Sequence, residues 1–159
     1  MRNPIAWTLF LAASLAPALA QDETPKLISC FETRTAALRL NQLERAIALC
    51  TAIVDDQATA SKARGEALSQ RGLLRARRWV ALEISQEALQ GIADISEGLR
   101  LHAPPEARRN LLLTVRAQLY MATGQNRRAS DDYQAVLKAD PNNAQARAGL
   151  RRLGQQEGL

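Results

Sequence analysis

Residues 111–141, LLLTVRAQLYMATGQNRRASDDYQAVLKADP, decide the fold of this chain. The first half holds Leu112, Leu113, Ala117, Leu119, Tyr120 and Ala122 near helical spacing. Gly124 follows and ends the run, as a glycine just past a periodic segment does. Ala129, Tyr133, Val136 and Leu137 then fall at i, i+4, i+7 and i+8, one apolar stripe of a second helix. Pro141 stops that helix, because proline pushes the residue before it out of helical geometry. Two short amphipathic helices joined by a tight turn cannot bury both their faces alone. The pattern should therefore recur along the chain.

This hairpin resembles the tetratricopeptide repeat. Ala117 stands at the small position of that family's first helix, with Tyr120 at the aromatic position three residues later and Gly124 in the turn. Ala129 is the small residue opening the second helix, Tyr133 the bulky one packed against the first, Val136 the medium-sized one after it, and Pro141 the terminal proline. Arg116 departs from the pattern, standing where the family has a leucine. The resemblance implies an all-α fold, a right-handed α-α superhelix of about three helical hairpins with a C-terminal capping helix.

Residues 111–141 serve as a ruler for the rest. A first hairpin is expected over residues 27–56, with Ala46, Cys50 and Ile53 in the places of Ala129, Tyr133 and Val136. A second is expected over residues 59–104, with Gly72 as the small residue of its first helix and Gly91, Ile95 and Gly98 along its second. Gly72 and Gly91 are 19 residues apart, whereas Ala117 and Ala129 are 12 apart. The middle hairpin thus carries about seven extra residues around Trp79 to Ala88, enough to lengthen one or both helices. Trp79 either caps the core there or stands out as an anchor, and packing is the expectation. The third hairpin covers residues 108–141, a cap follows over 143–153, and residues 155–159 read as a flexible tail.

Residues 1–20, MRNPIAWTLFLAASLAPALA, read as a secretory signal peptide. Arg2 supplies the positive end, an apolar core follows, and Ala18-Leu19-Ala20 offers a cleavage site. The expectation is a periplasmic or secreted repeat domain over residues 21–154, with no transmembrane span after cleavage near Ala20. Export permits disulfides. Cys30 and Cys50, the only two cysteines, would face each other across the first hairpin. A disulfide is expected, the alternative being two separate buried thiols.

The composition excludes several kinds of chemistry. Two cysteines and one histidine leave little for a zinc site, and no cofactor is expected. His102 is alone, near the end of a helix, where a cation meets the negative end of the dipole. The acid pairs Asp55-Asp56 and Asp131-Asp132 are sequence neighbours, which point in different directions on a helix. Nucleophile-elbow, zinc-helix and phosphate-loop motifs are absent, so the chain reads as non-enzymatic.

Two binding surfaces stand out. The family resemblance implies a concave groove lined by the first helices: Phe31, Thr35 and Leu38, then Ser69, Leu73 and Ala76, then Thr114, Gln118 and Met121. Such a groove would hold a segment of another envelope protein, making the chain an adaptor or scaffold of the bacterial cell envelope. The lysine and asparagine clamp with which some relatives hold a C-terminal carboxylate is missing at these places. The second surface is basic. The formal net charge is +5, mostly from arginine, and Arg64, Arg71, Arg75 and Arg78 share one helix face. That face could contact an anionic envelope component, in which case binding should fall steeply with salt. Nucleic acid is not an expected partner, because no stacking aromatics accompany the arginines. The sequence sets no oligomeric state.

Overall fold

The computed structural model describes residues 30, 31 and 39–157. The expected signal peptide, Thr35 and Leu38 lie outside the described residues. Cys30 and Phe31 are helical, and six helices follow Arg39. They are α1 (Leu40–Asp55), α2 (Ser61–Leu82), α3 (Ser85–Leu101), α4 (Glu106–Ala122), α5 (Asn126–Ala139) and α6 (Ala144–Glu157). Among the described residues there is no strand, and no helix is long and apolar enough to cross a membrane.

Local chemistry sets the helix ends. Gly124 takes a left-handed φ of 72° after α4. Its N–H bonds Met121 O at 3.1 Å and that of Gln125 bonds Tyr120 O at 2.8 Å, the paired closure of a Schellman motif. The extra residues of the middle hairpin extend both helices. α2 has 22 residues against 17 in α4, and α3 has 17 against 14 in α5. Glu83, at φ 55°, closes the turn between them in a conformation that favours glycine. At the far end, the Asn143 side chain accepts the Ala146 N–H at 3.1 Å and caps α6. That helix runs on through Glu157, past the point where a flexible tail was expected to begin. Gly154 lies inside it, because one glycine costs a helix only about 1 kcal/mol.

Each helix packs against its chain neighbours. Among the described residues, the only other helix contacts join α2 to α4 and α4 to α6. Three buried clusters succeed one another along this stack. Cys30, Leu43, Ala46, Cys50, Ile53, Ala67 and Leu74 form the first. The second centres on Ala88, Ile95, Leu112 and Leu119, and the third on Ala117, Tyr120, Ala129, Tyr133 and Val136. Ile92 and Leu99 of α3 touch both the second and the third. The second and third layers thus cover one another through α3.

α2 and α3 pack most closely, at a seam of small residues. A Cβ placed on Gly72 would come within 2.6 Å of the Ile95 side chain and 3.0 Å of Gly91 O. One on Gly98 would meet the Ser69 hydroxyl and come within 2.8 Å of Gly65 O. Gly65 therefore opposes Gly98 and Gly72 opposes Gly91, which makes the pair antiparallel. In the first layer the Cys30 and Cys50 sulfurs stand at bonding distance, 2.07 Å, and both residues are fully buried. Reduction should cost about 3 kcal/mol for a loop of this length. Intact mass before and after reduction, with denaturant melts of both forms, checks this. Two free thiols in the unreduced protein would contradict it.

Candidate functional site

α2 and α4 run parallel with α3 between them in sequence, and a trough lies between their facing sides. From α2 it is lined at helical spacing by Glu66, Ser69, Gln70, Leu73, Ala76 and Val80, and from α4 by Arg108, Leu111, Leu112, Val115 and Gln118. Three concavities follow one another along it. The first, about 410 Å³, has Phe31 and Leu112 in its wall and Glu66, His102 and Arg108 around it. The second, about 290 Å³, lies among Leu73, Trp79, Val80, Leu111, Val115 and Leu119. The third, about 400 Å³, is bounded by Trp79, Gln118, Met121, Tyr133 and Arg152. Trp79 and Gln118 belong to both the second and the third.

The trough changes character along its length. At the first cavity several polar side chains pair, while the buried Ser69 Oγ finds no hydrogen-bond partner. His102 Nε2 stands 3.6 Å from Glu66 Oε1, and Arg108 donates to Gln70 Oε1 at 2.7 Å. Further on it is apolar. Val80 is 69% exposed and Leu111 42%, large apolar side chains held in water although well-packed core lies one turn away. Trp79 is half-buried against the second cluster, so it is both packed and presented. At the third cavity the Tyr133 hydroxyl donates to Met121 Sδ at 3.6 Å. Burial pushes the Tyr133 phenol up, against the opposing charge of Arg152 and with a smaller upward push from Asp132.

The expected groove residues divide. Phe31 and Ser69 line the first cavity, Leu73, Ala76 and Gln118 the second, and Gln118 and Met121 the third. Thr114 lines none of them and is buried, and Ser69 and Ala76 are buried as well. These three belong to the packing rather than to an accessible lining. Val80, Leu111, Val115 and Arg152 stand outside the expected groove lining, and Trp79, expected to pack, also lines two cavities. A sequence signal existed for the apolar ones. α2 carries a second apolar stripe, Leu73 and Val80 seven residues apart, beside the stripe that fills the core.

The four arginines of the expected basic face all have partners within the chain. Arg71 forks Asp94 with two bonds of 2.8 Å and donates to Thr51 Oγ1 at 3.1 Å. Arg75 stands 3.4 Å from the same carboxylate. Arg78 lies between Glu87 at 3.1 Å and Glu44 at 3.4 Å. Arg64 donates to the backbone oxygens of Asp56 and Thr59 at 3.0 and 3.3 Å. The stripe faces α1 and α3, where these partners lie, and does not form an open basic surface. Burial pulls the Arg75 guanidinium down, Asp94 opposes that, and Arg71 adds repulsion.

The same device recurs in the next layer. Arg116 of α4 forks Asp132 of α5 at 2.8 and 2.7 Å and reaches Ser96 of α3 at 3.0 Å. Each arginine immediately precedes the small residue of its helix, Gly72 or Ala117. Each aspartate immediately precedes the bulky one, Ile95 or Tyr133. The fork ties the two helices of a hairpin together, and the third bond reaches the hairpin before it. Among the described residues no three His, Cys, Asp or Glu side chains gather as metal ligands. No protein-family model, curated protein or solved structure matches this chain.

Proposed function

We propose that this chain is a non-enzymatic adaptor or scaffold of the cell envelope that holds a segment of a partner protein in the α2–α4 trough. The observation that carries this reading is the apolar run around Trp79. Val80 and Leu111 stand exposed there beside two cavities large enough for side chains. Exposed apolar surface in a concave setting is the usual mark of an interaction site. The tetratricopeptide-like architecture is part of the proposal. It is supported by the Arg–Asp fork at one register in two successive hairpins and by helix contacts confined to near neighbours. Export to an oxidising compartment is supported by the leader-like residues 1–20 and by the buried cysteine pair at bonding distance. The arginine stripe offers no comparable support for an anionic partner, since its charges meet acids and carbonyls inside the stack.

The test is capture from an envelope fraction with the full chain as bait, beside Leu73→Glu and Met121→Glu variants. A carboxylate in either cavity should weaken retention of the partner by at least about tenfold, or 1.4 kcal/mol. Unchanged far-UV circular dichroism would show that the variants remain folded. Equal recovery of the same proteins by the folded variants would rule out the trough as the binding surface.

A further inference from the structure

We propose that a second copy of this chain occupies the trough when no other partner does. Two copies pair about a twofold axis, each laying its α2–α3 turn into the other's trough. This rests on the reading of the trough as a partner groove and names an occupant for it.

The turn between α2 and α3 lies among the extra residues of the middle hairpin. Among the described residues six large apolar side chains stand exposed, and four of them, Val80, Leu82, Ile84 and Leu89, fall within ten residues around this turn. Turns are ordinarily built from glycine, proline, asparagine, aspartate and serine, so turn chemistry gives no reason for this apolar crest. A fifth exposed side chain, Leu111, lines the second cavity together with Val80. One chain thus carries both a projecting apolar surface and an apolar hollow.

Their placement lets the pair close on itself. Val80 belongs to both, since it stands beside the turn and lines the second cavity. A projecting patch next to the hollow that accepts it can meet its own copy about a twofold axis, where both contacts form at once. On opposite sides of the molecule, the same two surfaces would instead propagate into an open chain of copies.

Charge favours the same occupant. Glu83 sits on the crest at φ 55°, where glycine would fit without strain. The fold alone gives no reason for an acid there. Arg152 is the one charged residue among the described lining of the third cavity. Among the described residues neither Glu83 nor Arg152 joins an ion pair. The crest of one copy therefore brings a carboxylate to a cavity bounded by arginine, and opposite charges fix the docked arrangement. The formal net charge of +5 on each copy is spread over the whole surface, and exposed charges farther apart than about 8 Å are largely screened at physiological salt.

Sedimentation velocity over a roughly hundredfold range of concentration should show a monomer–dimer equilibrium and no larger species. Ile84→Glu changes the crest and leaves the lining of the trough as it is. It should weaken the dimer by at least about tenfold. Glu83→Arg and Arg152→Glu should each weaken self-association by about threefold or more. An equal mixture of those two variants should pair as tightly as the parent, because both contacts between crest and cavity regain opposite signs. Circular dichroism verifies the fold of each variant. A chain that stays monomeric, a dimer indifferent to Ile84→Glu, or a mixture no tighter than its two components would overturn the second copy as occupant. Binding of a monomeric chain to phosphatidylglycerol vesicles, lost on Ile84→Glu, would assign the crest to a membrane surface instead. Capture from the envelope fraction separates this inference from the groove itself. Ile84→Glu should retain the envelope partner at least as well as the parent, and Met121→Glu should not. That pattern without self-association overturns the dimer alone. Self-association without any captured envelope protein overturns the foreign partner and leaves the second copy standing.

Discussion

Gly98→Ala should destabilise the chain by about 2 kcal/mol, although alanine is the better helix former by about 1 kcal/mol. The reversal follows from the α2–α3 seam. A Cβ at residue 98 would meet the Ser69 hydroxyl and come within 2.8 Å of both Gly65 O and Ser69 N. A hydroxyl can rotate away, but a backbone oxygen and nitrogen can move only with their helix. α2 would have to back off from α3, loosening Gly72 against Ile95 as well. Urea denaturation followed by circular dichroism measures the effect. Gly154→Ala is the control, because nothing lies within 4 Å of a Cβ there. That change should be neutral or stabilising, by up to about 1 kcal/mol. A Gly98→Ala protein more stable than the parent would show that α2 and α3 do not pack this closely.

Asp94→Ala should cost about 3 kcal/mol or more, because it strands charge inside the stack. The Asp94 side chain is 7% exposed, and Arg71 and Arg75, which share it, are 12% and 17% exposed. Removing the carboxylate leaves two guanidiniums facing each other with little water to screen them. Asp132→Ala should behave alike, since Arg116 forks Asp132 in the same way. There, burial pulls the Arg116 guanidinium down, but the bonds and charge of Asp132 outweigh it and hold the group above its usual range. Glu97→Ala is the contrast. Glu97 pairs with Arg100 on the surface, and its loss should change the melt very little. A triple change, Arg71→Met, Arg75→Met and Asp94→Leu, should recover much of what Asp94→Ala loses, because it removes the stranded charges together with their partner. A melt of Asp94→Ala equal to that of the parent would show that the network carries no weight in the fold.

The fork also shows where sequence reading stops. Arg116 is a departure from a leucine position when its own helix is read alone. Placed opposite Asp132 and Ser96, it becomes a tie between three helices, and Arg71 with Asp94 and Thr51 repeats it. Both halves of the pair are plain in the sequence. Their meeting is not, because it depends on which sides of α4 and α5 face each other. The arginine stripe of α2 misleads for the same reason. Its residues do share a face, and that face turns inward toward the acids of α1 and α3.

Helices, turns and their order were legible from residues alone, since apolar periodicity, Gly124 and Pro141 act over a few neighbouring residues. The all-α class follows from them, and so do the small and bulky positions from Gly72 to Tyr133. Facing is decided by the neighbours. Successive residues on a helix lie about 100° apart, so a shift of one residue exchanges core for groove. Thr114 went to the core while Leu111, Val115 and Gln118 came to line the trough. The pairing of Cys30 with Cys50 was readable because the chain has no other cysteine. The trough exists only between α2 and α4, helices separated in sequence by all of α3, and packing in three dimensions alone set its lining of apolar side chains and arginine.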